Sequence, residues 1–367
     1  MPLTPHPSVS LLKPLKGCDP ATADCLRSWL TQHYTGTVQI LFVAADAGDP
    51  VCEIVHKLLR EFPQSDAQLV VCGPLLGANA KVSQLVELER LAKHDLLVIS
   101  DADVRVPPDL LANVLAPLQQ PEVGLVNCFY RLANPATLAM QWEAIAINAD
   151  FWSQVLQSAS LKPIDFALGA VMATRREHLE EIGGFKALAD CLADDYQLGN
   201  RIVRRGCQIA LSPVVVECWS APMDWSAVWK HQLRWARTIR VCQPAPYFFS
   251  LLSNATLWPL LWLVAKPAAP ALACALGCLL FRVLTALNLE HRLTREPPAY
   301  ARGWLVPIKD LLQAAIWLLA FLGNHIEWRG QRLLLRRDGT LVRGQQPVGL
   351  RNAITCEQIE QPCDGRG

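Results

Sequence analysis

The sequence predicts a mixed α/β domain followed by membrane-associated helices, and three observations predict it. Short apolar runs rich in β-formers alternate with helical periodicities as far as Phe129. Acidic or polar residues stand directly after several of those runs. Charge then nearly vanishes, because Lys266 is the only charged residue between Val241 and Phe281.

In chain order, Val38–Ala45 is an apolar run suited to a buried strand. Cys52–Phe62 carries Ile54, Val55, Leu58 and Leu59 at helical spacing. Gln68–Cys72 is a second strand, Ser83–Leu91 a helix, and Asp95–Ser100 a third strand running into Asp101. Pro108–Leu118 reads as a helix and Val123–Phe129 as a fourth strand. Residues 140–240 are mixed. Gly169–Arg175 reads as a strand, Arg176–Ile182 as a helix stopped by Gly183-Gly184, and Asp195–Arg205 as a helix stopped by Gly206. Such alternation gives a parallel or mixed sheet whose ligands sit beyond the carboxyl ends of its strands.

Leu251–Ala265, Ala268–Thr285 and Val306–Gly323 are apolar stretches near the lower limit of about 17–25 residues for a membrane span. Nine of the twelve tryptophans lie beyond position 218, as interfacial residues do. Basic residues follow at Arg282, Arg292, Arg295 and Arg302, and again from Arg329 to Arg343. Three full crossings conflict with keeping both basic groups and the α/β domain on one side, so one stretch is expected to re-enter or lie in the interface. The chain divides accordingly into residues 1–240, membrane-associated helices over 241–325, and a basic tail over 326–367. Met1–Ser10 reads as polar and proline-containing, not as a signal peptide.

Composition narrows the function. A net charge of +1 gives no field for nucleic acid. Mean hydropathy of +0.20 with 18% charged residues is high for a soluble enzyme. The 13 cysteines show no Cys-x-x-Cys pair and no framework, as in a reduced chain. His56, His94, His178 and His291 lack metal-ligand spacing, which argues against histidine-bound zinc.

Three constellations carry chemistry. Asp101-Ala102-Asp103 follows an apolar strand, and two carboxylates there suit a divalent cation that also takes phosphate oxygens. The bland alternative is a solvated turn. Asp194-Asp195 precedes a helix and offers either a general base or an N-cap. His231, Arg234 and Trp235 share a helix face, fit to bind phosphate and stack on a ring, or to lie on a membrane surface. Asp49 and Lys81 could contact a nucleotide and its phosphates, or be ordinary surface residues.

The order Asp49, Asp101-Ala102-Asp103, Asp195, His231–Trp235 resembles the D, D, D, (Q/R)xxRW signature of family 2-like inverting glycosyltransferases. More narrowly it resembles the ceramide glucosyltransferase branch, family 21, and bacterial hopanoid-associated glycosyltransferases. Ser8–Gly17, Gly48-Asp49-Pro50, Gly77–Lys81, His94–Val106, Gly169–Arg176, Leu192–Gly199 and Trp328–Arg336 also read like that group. The resemblance implies a GT-A fold, a UDP-sugar donor, a lipid acceptor, the bilayer as partner and a Mg²⁺ or Mn²⁺ cofactor. It implies that Asp49 contacts the uridine and that Lys81 lies near the phosphates. Asp101 and Asp103 would hold the metal and diphosphate, Asp195 would be the base, and Arg234 and Trp235 would close over the diphosphate. Gly169, Asp194 and His231 belong to the same motifs. It also implies a membrane location, multi-pass or interfacial, in a bacterial inner membrane, with the catalytic domain cytoplasmic. Two departures stand out. His231 occupies a position that is usually Gln or Arg, and no membrane helix precedes the Lys13–Gly17 segment. A processive polysaccharide synthase and a non-catalytic scaffold are the rival readings.

Overall fold

The structure, a computed structural model, describes residues 6–73, 75–297, 300–328 and 331–343. Its centre is an eight-stranded sheet. The chain enters through β1 (Val9–Leu15), whose seven residues are all buried, and α1 (Thr22–Leu30). It continues through β2 (Val38–Ala44), α2 (Pro50–Glu61), β3 (Asp66–Val71), α3 (Ala80–Leu91) and β4 (Leu96–Ser100). β2, β1 and β4 are parallel neighbours, with β3 outside β2. The expected strands at 38–45, 68–72 and 95–100 are therefore present. β1 was not expected from residue pattern, because Ser10, Lys13 and Pro14 interrupt its apolar run. It nevertheless lies in the middle of the sheet, where buried Ser10 donates to Gln39 at 2.7 Å.

After β4 come β5 (Val104–Arg105), α4 (Leu110–Leu115), β6 (Val123–Leu132), α5 (Leu138–Ile145), a π-helical segment (Ala146–Phe151) and α6 (Trp152–Leu161). The chain then makes β7 (Val171–Arg175), α7 (Arg176–Glu181), α8 (Asp194–Arg204) and β8 (Gln208–Cys218). β7 runs antiparallel between β4 and β6, so the sheet is mixed, in the order β3-β2-β1-β4-β7-β6-β8-β5. Apolar clusters cover both faces: Trp29, Phe42 and Val98 on one side, and Leu41, Leu97 and Phe185 on the other. Each such buried side chain contributes roughly 1.5–3 kcal/mol. The helix expected at 108–118 is shorter, because Pro117 starts a separate 3-10 turn.

The C-terminal third differs from expectation. α9 (Trp225–Cys242) is followed by α10 (Pro244–Phe249), α11 (Leu257–Ala265), α12 (Ala269–Thr294) and α13 (Leu305–Phe321). Among the described residues only α12 is long and apolar enough to cross a membrane, so a multi-pass arrangement is not supported. Residues 251–265 do not form one helix: Pro244–Ser253 and Leu257–Ala265 meet at 56°. The third stretch forms α13, whose Lys309 and Asp310 are buried. After α13 comes a three-stranded antiparallel sheet, β9 (His325–Trp328), β10 (Gln331–Leu335) and β11 (Leu341–Arg343), which nothing in the sequence pattern indicated. The tail after Gly344 lies outside the described residues. The eleven cysteines among the described residues are all unpaired.

Candidate active site

The site lies where sheet topology predicts ligands, beyond the carboxyl ends of β1, β2 and β4. Asp101 follows the last residue of β4, all five of whose residues are buried. Its carboxylate meets Lys81 at 2.7 Å, and the same ammonium meets Asp194 at 3.1 Å. Lys81 stands in the first turn of α3 and is 8% exposed; Asp194 opens α8. One lysine thus joins two segments separated by almost a hundred residues of chain. Burial alone would lower its pKa, but the Asp101 and Asp194 carboxylates outweigh that and hold it above the usual lysine range.

Asp195, the next residue, is half-buried. Desolvation and the Asp194 charge push its carboxyl up to about 6, against the opposing pull of Lys81 and the Tyr196 N–H. Neither Asp194 nor Asp195 is the cap of α8; Ala193 takes that position without a side-chain hydrogen bond. Gly169 explains how Asp195 fits. A Cβ added there would lie 2.7 Å from Asp195 Oδ2, so a larger residue would push the carboxylate from its present place.

Asp103 stands exposed at the rim of this cleft, yet desolvation by the surrounding wall and the Asp101 charge push its carboxyl up to about 6. Two adjacent acidic groups that resist sharing negative charge are relieved by a cation. Among the described residues no group of three or more His, Cys, Asp or Glu forms a full protein cage. The protein's own donors here are the Asp101 and Asp103 carboxylates, Asp101 already paired with Lys81, so a hard divalent ion would need phosphate oxygens to complete its shell.

Lys13 belongs to this site, and residue-by-residue reasoning passed over it. It is fully buried on β1, donates to Ser100 Oγ at 3.3 Å and to the Asp101 carbonyl, and sits 4.8 Å from the Trp29 ring centroid. Burial pulls its pKa down to about 8, although Asp101 and Asp103 oppose the fall. A lysine inside a strand that otherwise alternates apolar residues was the available signal.

Asp49 lies at the neighbouring β2 end and is occupied by backbone. Gly17 N–H, at φ +65°, donates to both its oxygens at 3.0 and 2.9 Å, and Val51 N–H donates to Oδ1 at 3.0 Å. It caps α2 and clamps the turn after β1.

On α9, His231 and Trp235 are in ring contact at 4.7 Å, as their spacing predicts, with half-buried Arg234 between them in sequence. Phe151 lies 6.4 Å from Trp235 and 5.4 Å from Tyr130, extending the aromatic wall. Glu143, 1% exposed on α5, is a second residue the sequence did not flag. Its Oε1 lies 2.7 Å from His231 Nδ1 and accepts from Gln232 Nε2 at 2.8 Å. The end of α9 is tied to the acidic cluster, because the Tyr196 hydroxyl donates to the Cys242 carbonyl at 3.0 Å. The structure thus gathers Lys81, Asp101, Asp103, Asp194, Asp195 and Gly169, and attaches the His231–Trp235 helix beside them.

The family model for glycosyl transferase family 21 matches residues 1–341. The chain belongs to glycosyl transferase family 21. As a family 21 glycosyltransferase it is similar to ceramide glucosyltransferase 3 of Caenorhabditis elegans, 24% identical over 348 residues, covering 92% of this chain and 74% of that one. Ceramide glucosyltransferase 1 of the same organism is 26% identical over 215 residues, 56% of this chain and 44% of that one. Beta-monoglucosyldiacylglycerol synthase of Synechocystis sp. is 24% identical over 240 residues, 63% and 48% of the two chains. The chain thus spans less than half of two of these relatives. In fold it matches a mannosyltransferase of Pyrobaculum calidifontis solved with GDP-Man and Mn²⁺, at TM-score 0.53 and 21% identity over 87% of both chains. The α/β domain is accordingly of the GT-A type that the resemblance implied.

Proposed function

We propose that this family 21 member moves a sugar of the glucose or N-acetylglucosamine type from a UDP-sugar to a hydroxyl of a membrane lipid, with inversion. The observation that carries the reading is the crowded Asp101–Lys81–Asp194–Asp195 cluster at the strand ends, with room for Asp195 made by Gly169. The names of the relatives, ceramide glucosyltransferase and glucosyldiacylglycerol synthase, support a lipid acceptor of ceramide or diacylglycerol kind, while a hopanoid acceptor rests on the sequence resemblance alone.

Asp195 accepts the proton of the acceptor hydroxyl as its oxygen attacks the anomeric carbon. The bond to the diphosphate breaks, its electron pair leaves with the phosphate oxygen, and a single displacement inverts the carbon. A carboxyl with a pKa of about 6 is ionised at neutral pH yet more basic than an ordinary aspartate. Asp101 and Asp103 would hold Mg²⁺ or Mn²⁺, which when bound neutralises charge on the departing diphosphate. Lys81 and Arg234 supply further positive charge toward it. Two backbone N–H donors, Gly17 shared between both oxygens and Val51, leave Asp49 acceptor capacity for the uridine. Trp235, Phe151 and Tyr130 form the wall along which an acyl chain would lie.

The test is turnover in lipid vesicles containing ceramide, diacylglycerol or a hopanoid polyol, with UDP-glucose or UDP-N-acetylglucosamine and Mg²⁺ or Mn²⁺. A single-sugar lipid of inverted anomeric configuration is expected. Long polymer product would favour a processive synthase. Neither transfer nor donor hydrolysis under any of these conditions would leave a non-catalytic scaffold.

A further inference from the structure

Resting on the reading that the chain works at a membrane, a second cluster fixes how deep it goes. Asp150, Arg282, Lys309 and Asp310 meet where the catalytic domain joins the apolar helices. Arg282 on α12 reaches Asp150 at 2.9 Å and Asp310 at 2.8 and 2.9 Å, and Lys309 also pairs with Asp150. Thr256, just before α11, donates to Asp310 Oδ2 at 2.6 Å, and Asn254 donates to the Asp310 carbonyl at 2.8 Å. Asp310 therefore ties down the base of α11 and the middle of α12 together. Asp150 belongs to the π-helical segment whose next residue, Phe151, lines the aromatic wall. The pin is thus one residue along the chain from the aromatic wall.

Beyond the pin, α11 offers nine residues, and α12 runs thirteen residues from Ala269 to Phe281 without a charge. At a rise of about 1.5 Å per residue these arms reach about 14 Å and about 20 Å. A bilayer's hydrocarbon core is about 30 Å thick, and a span needs about 17–25 apolar residues. Although α12 as a whole has the length and composition of a span, its second half is held differently. It carries Arg282, Glu290, His291 and Arg292, and its Ala286 and Leu287 are buried. The arms themselves expose Trp258, Leu261, Trp262 and Val264 on α11, and Leu272, Leu276, Leu280 and Phe281 on α12. An apolar face of that extent on two short arms fits lipid.

We propose that α11 and the first half of α12 form a hairpin that enters one leaflet and returns, and that α12 does not cross the bilayer. Both arms begin at the pin, so the hairpin, the catalytic cleft and the chain after α12 share one side of the membrane. Lipid in that leaflet reaches the aromatic wall directly.

The test adds full-length protein to preformed vesicles containing anionic lipid. The protein carries Lys266→Cys at the exposed turn between the arms, with the other accessible cysteines changed to serine. Flotation with the vesicles tests membrane binding itself; failure to float would overturn that underlying reading. Given flotation, the hairpin predicts that a membrane-impermeant maleimide trapped inside the vesicles labels position 266 only after detergent. It also predicts that a fluorophore at 266 is quenched by nitroxide lipids of the outer leaflet. Labelling from the vesicle interior before detergent would overturn the hairpin while leaving membrane binding intact.

Discussion

Two charge clusters in this molecule look alike and are built to opposite ends. Around the hairpin base, two cations face two carboxylates and every charge has a near partner. At the strand ends, Asp101, Asp103, Asp194 and Asp195 crowd around Lys81 and Lys13, and two of the carboxyls are pushed up to about 6. A balanced cluster holds helices in register; an unbalanced one stores unfavourable charge that a cation, a diphosphate or a transferred proton can relieve. Balance of charge, more than burial, separates architecture from chemistry here.

Four substitutions and one titration sharpen that contrast, beginning with the largest effect. Arg282→Ala leaves Lys309 alone to balance the Asp150 and Asp310 carboxylates, so one buried charge goes uncompensated, and it should cost about 3–5 kcal/mol of stability, read by denaturant unfolding. An unchanged midpoint would mean the hairpin cluster bears no structural load. Gly169→Ala forces a methyl against Asp195 and should lower kcat about 100-fold, as a displacement of about 1 Å can, with little change in melting temperature. Equal loss of stability would place Gly169 with the architecture instead.

The pH profile comes next. Because the Asp195 carboxyl is raised, the base form is lost as pH falls through about 6, so kcat/KM should drop about tenfold per pH unit below that point. Lys81→Met removes the charge that opposes the rise, so the acid limb should move upward in pH; a limb that stays in place would detach Lys81 from the base. Asp49→Ala is the smallest change. Loss of the cap should cost about 1 kcal/mol of stability. A fall in donor affinity beyond that, measured by calorimetry with UDP, would mark the uridine contact; its absence would leave Asp49 a cap.

The legible parts of the fold were those where a single period governs a segment. β2 from Ile40 and β4 as far as Ile99 are apolar runs, α2 shows a clear helical stripe, and Asp101 marks the end of β4. β1 was hidden because its buried Lys13 and Ser10 are satisfied by partners elsewhere, Ser100 and Gln39, which no local pattern reveals. Among the site residues, His231 and Trp235 could be paired from helical spacing alone. Glu143 could not, since its partners lie 88 and 89 positions away. Of the three apolar C-terminal stretches only the one in α12 has a span's length and composition among the described residues, and hydropathy, which counts residues, does not see its tie from Arg282 to Asp150.

The most direct measurement compares Asp195→Asn with the unaltered protein in two assays on one preparation, lipid glycosylation and UDP-sugar binding. If Asp195 is the base, transfer falls by about 10²–10⁴ while donor affinity stays within a few-fold. Parallel loss of transfer and binding, or transfer that persists, would contradict it.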